Sequence, residues 1–392
     1  MKTLLISSLV MMSSMAFASR YDGANHPNNF ARIAGTNLLT DFNSLPMTGK
    51  LSDDRMGWSE TYWPSNIGGI SYRWNSPDPQ PFKYKLHTKA ELQNMSMQQM
   101  AQLSPSELYD IAQGDYSYSL TRKVRSLYST KDLWWEGICH GWAQAAANYP
   151  EPAQVNVMNR DGIVVPFGST DVKGLLAMHE AYNYKGNTFG FVGKRCKVNG
   201  KVVGEEDARD GGIIRPSPAD AASPDCADAN AGAFHVVVAN MIGIHSKSFV
   251  TDIDRFNDVW NQPIVGFESK ILAEEAVDAN DTASGIARKL RVATKFIYGE
   301  ELQVYSHARA AERPDIFWWQ TKEPVTGTIK QQIRSKDYEY IVEIDANGRV
   351  VGGEWISETR PDFMWMYARS TKFKSGFINL SGLNAIYRPV QR

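Results

Sequence analysis

The sequence predicts an α+β protein, with helices in its first part and strands in its last part. Residues 88–127 carry helix-start signals followed by apolar residues at helical spacing. Residues 233–242 read as a long apolar strand. Residues 331–370 contain several short strand-like segments, with Asn347-Gly348 as a hairpin turn. A helical front followed by strands is typical of the α+β class.

The first 18 residues have the pattern of a secretory signal peptide. Lys2 supplies the basic start, and a short apolar run from Leu4 to Met12 follows it. The residues Ala16-Phe17-Ala18 fit a cleavage site. The apolar run is shorter than a membrane span. We therefore expect a secreted or periplasmic protein that is cleaved near Ala18.

The charges of the chain are almost balanced. It has 42 Lys and Arg residues against 43 Asp and Glu residues, a net charge of −1. Binding to nucleic acid or to a membrane surface needs a basic face. We therefore expect no nucleic-acid partner and no binding to a membrane surface. No stretch after the first 18 residues reaches 18 apolar residues, so we also expect no membrane span.

Capping boxes mark the starts of the front helices. Thr88 is followed three residues later by Glu91, and Ser104 is followed at the same spacing by Glu107. Further along, Leu133 to Asn148 reads as a loop that enters a helix. These signals place helices on both sides of residue 130.

A hairpin, a helix and a second strand follow. Residues 154–170 alternate as a hairpin, with a turn at Asn159-Arg160-Asp161-Gly162. Asp171 to Tyr182 has a helical pattern, and Phe249 to Ile253 reads as a strand.

Four regions are expected along the chain. They are the signal peptide at 1–18, a helical region at 19–125, a core at 126–310 and a β-rich part at 311–392 that packs on the core. The region 19–125 is either a pro-segment that covers a site or an ordinary helical subdomain.

The chain has three cysteines. Cys196 and Cys226 bound a polar insertion at 193–232 and can pair as a disulfide, which leaves Cys139 unpaired. An odd thiol in an exported protein is a candidate for a reactive group.

Cys139 can form a catalytic site with two later residues. It begins a predicted helix, where the backbone N–H groups and the dipole favour a thiolate. His235 opens the predicted apolar strand, and Asp252 lies on the next strand. Cysteine on a helix with a histidine and an acid on successive strands is a papain-like arrangement. We predict Cys139 as the nucleophile, His235 as the base and Asp252 as the group that orients His235.

The sequence leaves alternatives open for these catalytic residues. Asp254 is an alternative to Asp252, and His245 is an alternative to His235. A buried cysteine that only packs, a structural histidine and a turn-capping acid would give the same pattern.

A nine-residue segment that follows Asp252 resembles a segment of a known protein family. Residues 259–267 read V-W-N-Q-P-I-V-G-F and are similar to the elicitor segment of oomycete cell-wall transglutaminases. Val265 stands where that segment has an arginine. The transglutaminase elicitor family has relatives in marine bacteria. Other matching strings are G-I-C-H-G-W-A around Cys139, A-F-H-V around His235 and G-G-E-W at 352–355, so the resemblance covers roughly residues 60–390.

The resemblance implies a papain-like cysteine transferase core and a protein-glutamine γ-glutamyltransferase activity. Cys139 would attack a glutamine carboxamide, release ammonia and form a thioester. His235 would move the protons, Asp252 would orient it, and a lysine side chain or a small primary amine would take the acyl group. The oxyanion would be bound by the Cys139 N–H and by a second donor, for which the indole N–H groups of Trp134 and Trp135 are candidates.

The family also implies calcium. Asp278, Asn280 and Asp281 could supply oxygen ligands, as could the acidic cluster of Glu205, Glu206, Asp207 and Asp210. Neither group has EF-hand spacing, and either could be a solvated acidic loop.

Two alternative functions are compatible with the sequence. One is a papain-like cysteine protease or a protein-glutamine deamidase that uses the same triad. The other is a non-enzymatic surface recognition protein whose aromatic segments bind a partner.

Overall fold

A computed structural model describes most of the chain. The described residues are 21, 23–76, 80–183, 188–194, 197–198, 201–202, 228–254, 259–302 and 333–390.

The described elements are numbered here in chain order. The helices are α1 Ala31–Ala34, α2 Lys89–Gln93, α3 Met97–Met100, α4 Pro105–Ala112, α5 Ser119–Leu127, α6 Cys139–Asn148, α7 Ser169–Tyr182, α8 Ala231–Val238, α9 Ala279–Ala283 and α10 Leu383–Ile386. The strands are β1 Thr48–Lys50, β2 Val155–Met158, β3 Val164–Phe167, β4 Phe189–Gly193, β5 Lys197–Val198, β6 Lys201–Val202, β7 Val250–Asp252, β8 Asn261–Glu275, β9 Ile286–Gly299, β10 Ile333–Asp345, β11 Val350–Trp355 and β12 Phe363–Tyr367. Short 3-10 helices lie at Pro27–Phe30, Phe42–Ser44, Ser65–Ile67 and Gly69–Ser71.

One antiparallel sheet organises the molecule. Among the described residues, eight strands pair in the order β11-β10-β9-β8-β7-β12-β4, with β1 beside β8. Long strands β8, β9 and β10 form its centre, and helix α6 packs on β8 and β7. The sheet and the helices share one hydrophobic core that includes Trp63, Trp142 and Phe234.

The capping signals are confirmed. Thr88 and Ser104 each accept a hydrogen bond from the backbone N–H three residues later, and Glu91 and Glu107 reciprocate. The hairpin within 154–170 is confirmed as β2 and β3. The turn at Asn347-Gly348 is also confirmed, because Gly348 has φ +80° between β10 and β11.

The strand predicted at 233–242 is wrong. Residues Ala231–Val238 form helix α8, and a π-helical turn, Ala239–Ile244, continues it. Every residue of α8 is buried, so its apolar run has no polar face to reveal a helical period. The Asn230 side chain starts the helix by accepting hydrogen bonds from the N–H groups of Gly232 and Ala233.

The predicted regions share the sheet. Strand β1 comes from the region 19–125, β4 and β7 to β9 come from 126–310, and β10 to β12 come from 311–392. The borders drawn from sequence therefore do not divide the structure into separate sheets, and the pro-segment at 19–125 stays a prediction.

Candidate active site

Cys139 is the first residue of helix α6. The preceding residue, Ile138, gives the helix no side-chain cap. The Cys139 side chain is buried, with 7% of its surface exposed, and it borders a cleft of about 370 Å³. A thiol at this position therefore sits against the uncapped N-terminus of a helix.

The loop before α6 is held by residues 62–65. The Ile138 N–H donates to the Tyr62 carbonyl at 2.8 Å, and the Ser65 N–H donates to the Glu136 carbonyl at 2.9 Å. A Cβ at Gly137 would meet the Tyr62 carbonyl oxygen at 2.4 Å, so only glycine fits there. The close backbone contact fixes the position of Cys139.

Two groups from the 259–261 segment contact the sulfur. The Val259 carbonyl oxygen is 3.5 Å from Cys139 Sγ, and the Asn261 side-chain Nδ2 is 3.7 Å away. The indole N–H of Trp365 donates to Asn261 Oδ1 at 2.7 Å, which turns the amide NH2 group toward the sulfur. The string that resembles the elicitor segment therefore forms one wall of the site.

Electrostatics hold the thiol neutral in this structure. The pKa of Cys139 is raised to about 11, mainly by burial and to a smaller extent by the carboxylates of Glu301 and Asp252. The backbone and side-chain N–H groups of Asn261 lower the pKa. The helix N-terminus does not outweigh burial, so the thiol keeps its proton at neutral pH.

Asp252 is held beside Asn261. It lies on β7, opposite Asn261 of β8 in the strand register, and is fully buried. Its Oδ1 accepts a hydrogen bond from the Trp260 N–H at 3.2 Å. The structure therefore places Asp252 beside the residue that contacts Cys139, and the catalytic role of Asp252 stays a prediction.

Glu301 is a second acid near the thiol that the sequence reasoning missed. It follows β9 and accepts a hydrogen bond from the Gln262 side-chain amide. Burial raises its pKa, and the Gln262 hydrogen bond opposes that shift. The only sequence signal was a polar pair, Glu300-Glu301, at the end of a strand.

His235 lies elsewhere. Its Nδ1 is 2.9 Å from the Tyr340 hydroxyl, and its ring stacks on Phe42 with 5.5 Å between centroids. Burial lowers its pKa to about 4, so the ring is neutral at neutral pH. Among the described residues its Nε2 has no hydrogen-bond partner.

The distance from His235 to Cys139 follows from strand β8. The Tyr340 hydroxyl is 2.8 Å from that of Thr294, which pairs with Ser269. Ser269 is eight residues beyond Asn261, or about 26 Å along an extended strand. The structure does not bring His235 and Cys139 together, so the base role of His235 stays a prediction that this geometry does not support.

The alternatives for the triad are also located. Asp254 forms an ion pair with Lys336 at 2.9 Å. His245 follows the π-helical turn after α8, and burial lowers its pKa. The histidine that lines the Cys139 cleft is His140, whose pKa burial lowers to about 4.

Aromatic side chains surround the entrance to the site. Trp134 is 64% exposed, and its ring centroid is 6.3 Å from that of Trp260. Tyr62 packs edge-on against Trp260 at 5.5 Å, and its hydroxyl donates to the Trp134 carbonyl at 2.6 Å. Trp135 lines the cleft. The donor that the structure places at the sulfur is Asn261 rather than either predicted indole.

The predicted calcium ligands are used in a helix cap. Asp278 accepts hydrogen bonds from the N–H groups of Asn280 and Asp281, and the Asp281 carboxylate accepts one from the Asp278 N–H. Asp281 also pairs with Lys289 at 3.4 Å. A lysine on the same carboxylate does not fit a hard cation. In the described part of the chain, no group of three or more His, Cys, Asp or Glu residues could hold a metal.

Some predicted residues lie outside the described part. They are residues 1–18, the pair Cys196 and Cys226, and the cluster Glu205, Glu206, Asp207 and Asp210. In the described part, no helix is long and apolar enough to cross a membrane.

Fold and site together define an α+β protein with a buried thiol at a helix start, beside two carboxylates and an amide. The family model of the transglutaminase elicitor matches residues 28–385. The chain therefore belongs to the transglutaminase elicitor family and is a transglutaminase-type protein.

A solved structure has the same overall fold. The crystal structure of the GP42 transglutaminase from Phytophthora sojae is similar with a TM-score of 0.58 and 18% identity. The match covers 93% of this chain and 97% of that one. No curated protein matches the chain.

Proposed function

We propose that the protein is an exported protein-glutamine γ-glutamyltransferase with Cys139 as its nucleophile. The observation that carries the proposal is the position of Cys139: first in helix α6, on the wall of a cleft, with an amide and two carboxylates near its sulfur. Membership of the transglutaminase elicitor family supports protein-bound glutamine with an amine acceptor as the substrate class.

The reaction has two halves. The Cys139 sulfur attacks the glutamine carboxamide carbon and the thiol loses its proton. The C–N bond breaks, the nitrogen takes a proton and leaves as ammonia, and a thioester remains. A lysine amine then attacks the thioester, loses a proton and forms the isopeptide bond, while the sulfur is protonated again.

The acids of the site can move these protons. Asp252 and Glu301 lie close enough to Cys139 to raise its pKa, so each is a candidate to accept the thiol proton and pass it to the leaving nitrogen. Burial raises the pKa of Glu301 above its ordinary value, which makes this carboxyl a better proton donor and acceptor partner for the thiol than an exposed carboxylate. This proton transfer uses the cysteine and the acid of the triad predicted from the sequence, and His235 takes no direct part in it.

The exposed aromatic ring of Trp134 fits a macromolecular substrate. It stands beside the cleft and can pack against side chains that flank the reactive glutamine. Export of the protein is proposed on the signal-peptide pattern of residues 1–18.

Incorporation of a fluorescent primary amine into a glutamine-rich protein tests the proposal. The wild-type chain and its Cys139→Ala variant are compared, with and without added calcium, and ammonia is measured in parallel. We expect labelling by the wild type and a rate at least about 1,000-fold lower in the variant, because the nucleophile has been removed.

Each other outcome has a clear meaning. Ammonia release without labelling would indicate a glutamine deamidase, and peptide release would indicate a protease. No product from the wild type in either condition would reject the proposed function. Equal labelling by Cys139→Ala would reject Cys139 as the nucleophile.

A further inference from the structure

The Asn261 side chain contacts Cys139, the proposed nucleophile, and the family match assigns no role to this contact. Acyl transfer through a thioester needs donors for the oxyanion that forms on the attacked carbonyl. Helix α6 offers one, because the first N–H groups of a helix have no partner within it. A second donor close to the sulfur would complete such a site.

Asn261 has the geometry of that donor. Its Nδ2 donates to Cys139 Sγ at 3.7 Å, so its N–H points at the atom that would attack the substrate. The oxygen of a carbonyl carbon bonded to Sγ is two bonds from the sulfur and can lie on the side of the amide. Nδ2 would then be within reach of the developing oxyanion.

The amide cannot rotate away freely. Trp365 donates its indole N–H to Asn261 Oδ1 at 2.7 Å, and both residues are buried. Rotation of the amide by half a turn would place two N–H groups against each other and leave Oδ1 facing the sulfur. Trp365 therefore selects the orientation in which Nδ2 points to Cys139.

The sheet fixes the backbone of Asn261. Its register partner on β7 is Asp252, and the register partner of Asp252 on β12 is Phe363, two residues before Trp365. The three strands thus carry the acid, the amide and the residue that orients the amide in adjacent positions. A donor built on paired strands meets the requirement of preorganisation.

We propose that the Asn261 side-chain amide is an oxyanion donor for acyl transfer at Cys139, and that Trp365 is its positioning residue. The inference rests on the proposed transferase function. It names a catalytic residue and a positioning residue beyond the predicted Cys139, His235 and Asp252.

Two variants test the inference, each with two readouts. One is kcat for amine incorporation, and the other is the rate at which iodoacetamide alkylates Cys139, with Cys139→Ala as the blank. Alkylation forms no oxyanion, so it separates the oxyanion role from support of the thiol. Thermal unfolding shows that each variant is folded.

For Asn261→Ala we expect kcat to fall about 100-fold, as for loss of one oxyanion donor, while alkylation falls about tenfold or less. For Trp365→Phe, which keeps a ring in the core, we expect about a tenfold loss of kcat and a loss of alkylation that is smaller than the loss of kcat, because the amide remains but can turn. Amine concentration is varied to show that kcat rather than KM carries the loss.

Different results would contradict the role of Asn261, the role of Trp365 and the proposed function. Equal losses of transfer and alkylation in Asn261→Ala, or unchanged transfer, would overturn the oxyanion role. Unchanged kcat in Trp365→Phe would overturn its positioning role. If the wild type gives neither labelled protein nor ammonia, the proposed function fails first; an active wild type with an active Asn261→Ala variant removes only the inference.

Discussion

Asp252 lies near the Cys139 thiol, whereas His235 contacts Phe42 and Tyr340 further along the sheet. At the scale of single residues this difference gives opposite expectations for their variants. Asp252→Asn should lower the rate of amine incorporation about 100-fold, because an amide cannot accept the thiol proton. His235→Phe, which keeps the stacked ring, should retain the rate per folded molecule.

Rates normalised to folded protein check this pair. A loss in His235→Phe as large as in Cys139→Ala would show that His235 reaches Cys139 in an active conformation different from this one. Glu301→Gln is the matched carboxylate variant, and a loss in it but not in Asp252→Asn would assign proton transfer to Glu301.

Glu60 provides a prediction for pH. It is fully buried, and burial raises its pKa to about 8, with Lys173 opposing the shift. The unfolded chain has the ordinary, lower pKa and releases the proton first as pH rises. The stabilising contribution of protonated Glu60 is therefore complete below about pH 4.5 and is lost as pH rises toward about 8.

We expect the free energy of unfolding to fall less between about pH 5 and pH 8 in Glu60→Gln than in the wild type. Glutamine keeps an oxygen for the Thr61 N–H, which donates to Glu60 Oε1 at 3.0 Å. Urea titrations at several pH values measure the difference, with the exposed Glu274→Gln as the control. Parallel pH curves for wild type and Glu60→Gln would contradict the prediction.

At the scale of elements, helices α6 and α7 set the position of Cys139. They touch at Gly141, two residues into α6, where an added Cβ would meet the Ala177 carbonyl oxygen at 2.1 Å. Gly141→Ala should therefore push α6 away from α7, lower the free energy of unfolding by about 1–3 kcal/mol and reduce amine incorporation.

Gly23→Ala is the matched control, because a Cβ there meets nothing within 4 Å. Denaturant titration and rates per folded molecule check the prediction. An unchanged rate in Gly141→Ala would mean that Cys139 is positioned by the 62–65 segment alone.

The elements differ in how far sequence could predict them. Helices that begin with a polar cap, such as the one that starts after Thr88, can be predicted from the capping residues in the sequence. Helix α8 could not be predicted in this way, because it is buried on all sides and its apolar residues fit both the helical and the strand period.

The residues of the candidate site also differ in this respect. Cys139 was predictable as an odd cysteine at a helix start. Asn261 and Glu301 were not, because only the pairing of β8 with β7 and the end of β9 brings them to the sulfur.

At the scale of the whole molecule, the sheet joins all the predicted regions. Strand β10 lies between β9 and β11, and β12 lies between β7 and β4. A chain that ends at residue 310 would lack β10, β11 and β12, so it would expose one long edge of β9 and separate β4 from β7. We expect that this truncated chain does not fold.

Circular dichroism and gel filtration of residues 19–310 test this expectation, with residues 19–392 as the control. A folded fragment that still incorporates amine would show that 311–392 is a separate part, as the sequence borders suggest. The full chain should unfold in one transition.

The segment that resembles an elicitor is mostly interior. Asn261 to Phe267 are buried in the sheet, and Val259 and Asn261 touch the Cys139 sulfur. An antibody raised against the peptide 259–267 should therefore bind the denatured chain and ignore the native one. Such an antibody would detect damaged protein, because its epitope becomes accessible only after the fold, and with it the candidate active site, has been lost.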